Sequence, residues 1–476
     1  MKERARISSR FNRALGPKPV KSSTRNNKLF GTDGVRGIAN VEPVTAETAL
    51  KLGRAAAHWF KQNAQHRHKI VIGKDTRLSG YMLENAMVAG ITSMGVDVLL
   101  IGPIPTPGVA YITRSLRCDA GIMLTASHNP YEDNGIKFFR ADGYKLDDKI
   151  ELEIEDAVFS GKIDTIRPTA REIGKAFRVD DALGRYVEFV KASFPKGMTL
   201  DGMRIVVDTA NGATYKSTPW ILRELGADVI TLHNQPDGTN INAGCGSTHP
   251  EVVSQAVVQH RADVGISHDG DGDRVMLADE NGKIVDGDII LAITALDLLK
   301  NNTLNKKTLV ATVMSNLALD HTLAKADGKV VRTDVGDRYV IEKMVQIDAN
   351  LGGEQSGHVI FRDFTTTGDG IISALQILRI MKSDGKRLSN LAQCMTLYPQ
   401  VLMNLKVKNK PALVDVPELM DEVRRTEKAL GTSGRVLLRY SGTEAKIRLL
   451  IEGQDQGEIE QHARSITKKI QETIAK

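Results

Sequence analysis

The stretch that decides the fold is Gly121-Ile122-Met123-Leu124-Thr125-Ala126-Ser127-His128-Asn129-Pro130, followed by Asn134-Gly135-Ile136-Lys137. A short apolar run broken by Ser, His, Asn and Pro reads as a buried strand ending in a turn, because Asn opens turns and Pro cannot continue a ladder. Ser127 therefore belongs to a loop at a strand's carboxyl end, where open α/β sheets bind their ligands. A hydroxyl there, with an imidazole beside it and the amine of Lys137 ten residues on, suits phosphoryl transfer. The bland reading is a polar turn, so the rest of the chain has to decide.

Working outward, short Val/Ile/Leu runs alternate with longer Ala/Leu/Lys/Glu segments, which predicts an α/β chain of several domains in 476 residues. The loop Phe30-Gly31-Thr32-Asp33-Gly34-Val35-Arg36-Gly37 opens the body; its glycines admit a close ligand and Arg36 offers a forked donor to an anion. A helix is expected over 46–62, then the strand 70–72. A second α/β unit shows the strand 205–207, the helix 215–225 and the strand 229–230. It leads to Asp269-Gly270-Asp271-Gly272-Asp273-Arg274, where three carboxylates gathered on one loop imply a cation. An EF-hand is excluded by Arg274 at the turn glycine's position and by strand-like flanks, and a strand-end trio suits Mg²⁺.

A third unit contributes Gly353-Glu354-Gln355-Ser356-Gly357-His358, read as an extended segment with Glu354 and Ser356 on one side, a spacing fit for a pair of sugar hydroxyls. From about residue 398 the pattern becomes α+β, with a helix over 416–430, a hairpin of 435–440 with 447–452, and a helix from 458. Its hairpin loop, Arg439-Tyr440-Ser441-Gly442-Thr443-Glu444, has the parts of an anion nest. The expected divisions are a basic extension 1–27, α/β units 28–176, 177–286 and 287–397, and an α+β unit 398–476.

Composition excludes other classes. The net charge of +6 is concentrated in residues 1–28, which carry nine Lys/Arg and one acid and leave the remainder at −2. A nearly neutral body is unlike a nucleic-acid-binding one, which needs a broad basic face. No apolar stretch approaches the roughly 20 residues of a membrane span. Cys118, Cys245 and Cys394 are far apart without metal-ligand spacing, and read as reduced thiols of a cytoplasmic chain.

Four of these loops, TASHNP, DGDGDR, GEQSGH and RYSGTE, stand in the order they have in the α-D-phosphohexomutase family, which the chain resembles over residues 28–476. The resemblance implies three related α/β domains with mixed sheets plus a smaller C-terminal α+β domain around a central cleft. It implies that Ser127 is a phosphoserine and a metal ligand, with Asp269, Asp271 and Asp273 holding one Mg²⁺. His128, Lys137 and Arg274 match positions that support transfer, and Glu354, Ser356 and His358 the sugar-binding positions. Arg439, Ser441, Gly442 and Thr443 match the clamp for the unreactive phosphate. FGTDGVRG, with Arg36, looks like the branch that interconverts glucosamine 6-phosphate and glucosamine 1-phosphate for UDP-N-acetylglucosamine and peptidoglycan synthesis; a phosphomannomutase or phosphoglucomutase is the same-family alternative. Glucosamine 1,6-bisphosphate or glucose 1,6-bisphosphate is the expected activator, and a kinase or autophosphorylation must prime Ser127. The resemblance allows a homodimer. A sugar-phosphate sensor, the reading from another class, is opposed by the full set of transfer residues.

Overall fold

A computed structural model describes residues 29–31, 33–61, 67–441 and 445–474. The extension 1–27 lies outside the described residues.

Each of the first three units builds a sheet with strand ends turned to a common centre. The first contains β1 (Val35–Ile38), β2 (Lys69–Lys74), β3 (Asp97–Pro103), β4 (Ala120–Leu124), β5 (Asp133–Arg140) and β6 (Ala176–Arg178), ordered β1-β5-β4-β2-β3-β6. β4 is parallel to β2 and antiparallel to β5, so the sheet is mixed. All five residues of β4 are buried, which is why its sequence is an unbroken apolar run rather than an alternating one. β6 pairs with β3, so the first sheet reaches Arg178, past the expected boundary at 176.

The second sheet contains β7 (Arg204–Asp208), β8 (Asp228–Leu232), β9 (Val264–His268), β10 (Val275–Ala278) and β11 (Ile284–Val285), ordered β11-β10-β9-β7-β8. β9 and β10 are antiparallel neighbours, and the aspartate-rich loop connects them. Strands on both sides of that loop rule out the helices an EF-hand needs. The third sheet, ordered β13-β12-β14-β15, uses β12 (Thr308–Thr312), β13 (Lys329–Thr333), β14 (Leu351–Gly353) and β15 (Val359–Phe361). The helix Gly287–Lys300 precedes it, capped by Asp286, whose carboxylate accepts from the Ile289 amide.

The fourth sheet has three strands, β16 (Gln400–Lys406), β17 (Arg435–Tyr440) and β18 (Lys446–Glu452), ordered β16-β18-β17. The hairpin β17–β18 matches expectation, whereas β16 alternates exposed and half-buried residues and carries too weak a pattern to be read alone. This sheet buries Ile447, Leu449 and Ile451 against Leu419, Val423, Ile459 and Ile466 of the helices Pro417–Leu430 and Gln456–Thr473. That core is its own, while a single core runs from Phe139 and Tyr186 through Ile266 to Leu291 and Leu375 across the other three units. Among the described residues no helix is long and apolar enough to cross a membrane.

Candidate active site

Ser127 stands three residues beyond β4 with a φ of 54°, a left-handed conformation that side chains other than glycine adopt at a cost of order 1–3 kcal/mol. The surroundings enforce it. Its amide donates to Thr125 Oγ1 at 2.9 Å, and its carbonyl accepts from Arg77 Nη2 at 3.2 Å and from Asn242 Nδ2 at 2.9 Å. The same two donors hold the Asn129 carbonyl, at 2.6 and 2.9 Å. Arg77 is fully buried and paired with Asp75, so the brace is itself fixed.

The metal loop meets the serine loop directly. Ser127 Oγ donates to Asp269 Oδ2 at 2.7 Å, and His128 Nδ1 lies 3.4 Å from the same hydroxyl. Gly270 permits the approach, because a Cβ there would sit 2.6 Å from the Ser127 carbonyl oxygen. Asp271 is anchored by Thr106, whose amide donates to its carbonyl and whose hydroxyl donates to its carboxylate at 2.7 Å.

Asp269, Asp271 and Asp273 are buried, and one oxygen from each lies within 4.8 Å of the others. Burial and the neighbouring Asp273 and Asp271 push Asp269 well above the usual carboxylate range; burial and Asp271 raise Asp273 as well. Asp271 faces the same burial, but Lys137, the Thr106 hydroxyl and Arg36 together outweigh it and hold that carboxyl low. Asp271 Oδ1 and Asp273 Oδ1 have no hydrogen-bond partner among the described residues. Buried, unsatisfied, mutually repelling oxygens are the donor set of a hard divalent cation, so the residues fit such an ion.

Lys137 comes from β5, where it pairs with Met123 of β4. Its Nζ is 3.1 Å from Asp33, 3.2 Å from Asp271 and 3.8 Å from Asp273. Burial favours the neutral amine, but these carboxylates outweigh it and raise the group far above a lysine's ordinary value. Lys145 bridges Asp33 to Asp337 of the third unit, and His358 Nε2 stands 3.5 Å from Asp337 and 3.9 Å from Asp273. Arg274 donates its amide to Asp269 Oδ1 at 3.2 Å and carries its guanidinium beside Asp273. Burial, with Arg274 and Arg36 nearby, lowers His128 to about 4, so its imidazole is neutral at physiological pH.

A cavity of about 690 Å³ opens over Ser127 and is lined by Arg36, Asp273, Arg274, Glu354 and His358. The Glu354–Gly357 segment is a turn closed by the Gly357 amide on the Glu354 carbonyl, not the extended segment expected; Ser356 Oγ nonetheless lies 3.4 Å from Glu354 Oε2, on the same side. A second cavity of about 310 Å³ lies between the fourth sheet and Met314, lined by Arg439, Lys446 and Arg448. Arg439 and Arg448 are register partners on β17 and β18; burial and then Arg448 lower the Arg439 guanidinium. Two guanidiniums side by side suit an anionic ligand. Asp334 also acts on Arg439, and the next residue, Val335, lines the larger cavity. Ser441 is buried at the loop's start, and Gly442 and Thr443 lie outside the described residues.

Four stretches match the phosphoglucomutase/phosphomannomutase domains: α/β/α domain I over residues 27–164, II over 184–282, III over 286–398, and the C-terminal domain over 402–469. The chain belongs to the α-D-phosphohexomutase family. A phosphoglucosamine mutase of Pelobacter propionicus is 60% identical over 439 residues, covering 92% of this chain and 97% of that one. The fold is shared with solved phosphohexomutases. A family protein of Burkholderia thailandensis superposes with a TM-score of 0.78 at 23% identity, covering 95% of this chain and all of that one. An Aspergillus fumigatus N-acetylphosphoglucosamine mutase, solved with GlcNAc-6P and magnesium, has a TM-score of 0.64 at 17% identity, with 94% and 96% covered. As a phosphohexomutase the chain is an isomerase, an intramolecular phosphotransferase.

The structure brings Ser127, His128, Lys137, Arg274, Arg36, Glu354, His358 and the three aspartates of this phosphohexomutase around one cleft, while Arg439 lines the separate cavity of the fourth unit. Sequence reasoning missed Asp33, Lys145, Asp337, Lys446 and Arg448. The alternation of β18 was the available sign for the last two, since basic residues at alternate positions share one sheet face.

Proposed function

We propose that this phosphohexomutase interconverts glucosamine 6-phosphate and glucosamine 1-phosphate in the cytoplasm, through a phosphoserine at Ser127 and a bisphosphosugar intermediate. The observation that carries the reading is the meeting of Ser127 Oγ with Asp269 at 2.7 Å under a cavity that also presents Glu354 and His358. In the forward direction the phosphoryl group on Ser127 passes to the sugar's free hydroxyl. The bisphosphosugar turns over, and Ser127 takes the other phosphoryl group back. Asp269, Asp271 and Asp273, with an oxygen on Ser127, would hold Mg²⁺, which when bound spreads the charge of the transferring group.

The chain's own residues do the rest. Arg274 and Lys137 oppose the charge that develops near Ser127, and neutral His128 stands within reach of the hydroxyl proton. Glu354, Ser356 and His358 hold the sugar, Arg36 faces it from the first unit, and Arg439 with Ser441, Gly442 and Thr443 holds the phosphate that is not reacting. Since the fourth unit has its own core, it can loosen while the intermediate reorients. Glucosamine 1,6-bisphosphate or its glucose analogue would restore enzyme that has lost its phosphoryl group, and a kinase or autophosphorylation would prime it first.

The test is a mutase assay with glucosamine, glucose and mannose 6-phosphates, beside phosphopeptide mass spectrometry of the purified chain. Phosphate on Ser127 and the highest kcat/KM for the glucosamine substrate are expected. A higher value with glucose or mannose phosphate would assign the same-family alternative, and absence of turnover and of phosphoserine even after incubation with saturating bisphosphosugar would overturn the mutase reading.

Arg439→Ala tests the clamp. A phosphate gripped equally before and during transfer contributes to binding alone, so KM should rise about 10- to 150-fold, the equivalent of a charged hydrogen bond of about 1.5–3 kcal/mol, with kcat within a few-fold. Steady-state kinetics with saturating bisphosphate decide it. Loss confined to kcat would remove Arg439 from the phosphate site.

A further inference from the structure

The carboxyl ends of β7 and β8 carry side chains that the phosphoryl-transfer chemistry leaves unused. Asp208 ends β7 and is the register partner of Leu232, so His233 follows directly at the end of the neighbouring strand. The loop before the helix Pro250–His260 then returns Cys245 to the same point, although nothing in the cysteine spacing announces it. A carboxylate oxygen of Asp208, an imidazole nitrogen of His233 and Cys245 Sγ all lie within 4.8 Å of one another.

We propose that Asp208, His233 and Cys245 form a second metal site, selective for Zn²⁺-class ions and separate from the Asp269, Asp271 and Asp273 cluster. One oxygen, one nitrogen and one sulfur donor form a borderline-soft set that suits zinc and not magnesium. Ligand bonds of about 2.0–2.3 Å place donor atoms about 3.3–3.6 Å apart around a tetrahedral ion. Asp208 Oδ1 and His233 Nδ1 are 3.1 Å apart, a few tenths of an ångström short of that separation, and Cys245 Sγ lies within 4.8 Å of both. Asp208 and Cys245 are fully buried while the His233 side chain is 36% exposed, which leaves an entry side where water completes the coordination.

The ligands are also held from behind, as metal ligands are. Asp208 accepts from the Ala210 and Gly246 amides, each at 2.9 Å. His233 adopts a φ of 47°, and its carbonyl accepts from Thr209 Oγ1 and the Asn211 amide, each at 2.6 Å. The hydrogen bond to Asp208 raises His233, and burial and Asp208 push Cys245 up to about 12. A metal ligand must be thiolate or neutral imidazole, so binding here weakens as pH falls. The loop that carries Cys245 also carries Asn242, the donor to the Ser127 and Asn129 carbonyls, so an ion here would stiffen the backing of the phosphoserine loop.

Cobalt(II) titration of the full chain in saturating Mg²⁺ tests the site, because only a thiolate ligand gives a near-ultraviolet charge-transfer band and the aspartate cluster offers oxygens alone. The expected result is one equivalent of Co²⁺ with that band, displaced by Zn²⁺, absent in Cys245→Ala and at least about tenfold weaker in binding in His233→Asn. Asparagine tolerates the positive φ at this exposed position, so His233→Asn keeps its fold and decides the matter even if Cys245→Ala does not. No band in the wild-type chain, or a band that survives both substitutions and so belongs to Cys118 or Cys394, would overturn the proposal.

Discussion

Ser127→Ala is expected to lower kcat by at least about 10³-fold while the thermal unfolding transition stays near that of the wild type. The asymmetry follows from how the loop is held. The hydrogen bonds that fix the backbone at Ser127 do not involve its hydroxyl: the Ser127 amide on Thr125, and the Ser127 and Asn129 carbonyls on Arg77 and Asn242. Alanine keeps all of them. It removes only the hydroxyl and its hydrogen bond to Asp269, a loss of about 1 kcal/mol in stability. For turnover the same hydroxyl would be the sole acceptor and donor of the phosphoryl group, and added bisphosphosugar could not restore the variant because nothing would receive its phosphate. Circular dichroism with a mutase assay in saturating bisphosphate checks both halves. A kcat within tenfold of wild type would move the nucleophile elsewhere.

What could be read in the sequence was whatever is local. β4 is legible because a strand buried on both faces must be a continuous apolar run, and the aspartate loop because three carboxylates gathered on one loop repel one another unless a cation joins them. The network that joins the units was not legible. Lys145 meets Asp33 across 112 residues and Asp337 across 192, and no periodicity or turn chemistry encodes a pairing at that separation. Cys245 shows the same limit: its partners stand 12 and 37 residues away and become neighbours only because β7 and β8 are parallel. At Glu354–Gly357 the residue pair was read on the correct side but for the wrong backbone, because glycine on both flanks permits a turn as readily as a strand.

That network sets the second large effect. Lys137→Met should lower kcat about 10²- to 10³-fold with KM changed only a few-fold, the pattern of a charge that acts on the transition state. Methionine keeps the length and apolar stem but leaves Asp33, Asp271 and Asp273 facing one another without the amine that lay 3.1–3.8 Å away. Removing one partner from a buried ion cluster costs about 3–5 kcal/mol, so some destabilisation accompanies the kinetic loss. Metal affinity separates the two effects. Lys137 competes with any cation held by the trio, and its removal should tighten Mg²⁺ binding even as kcat falls; a variant that was merely misfolded would bind Mg²⁺ more weakly. Lys137→Arg, which preserves the charge, should recover most of the stability. Titration calorimetry with Mg²⁺, beside steady-state kinetics, distinguishes these outcomes. If Lys137→Met raises KM with kcat intact, the lysine belongs to substrate binding rather than to transfer.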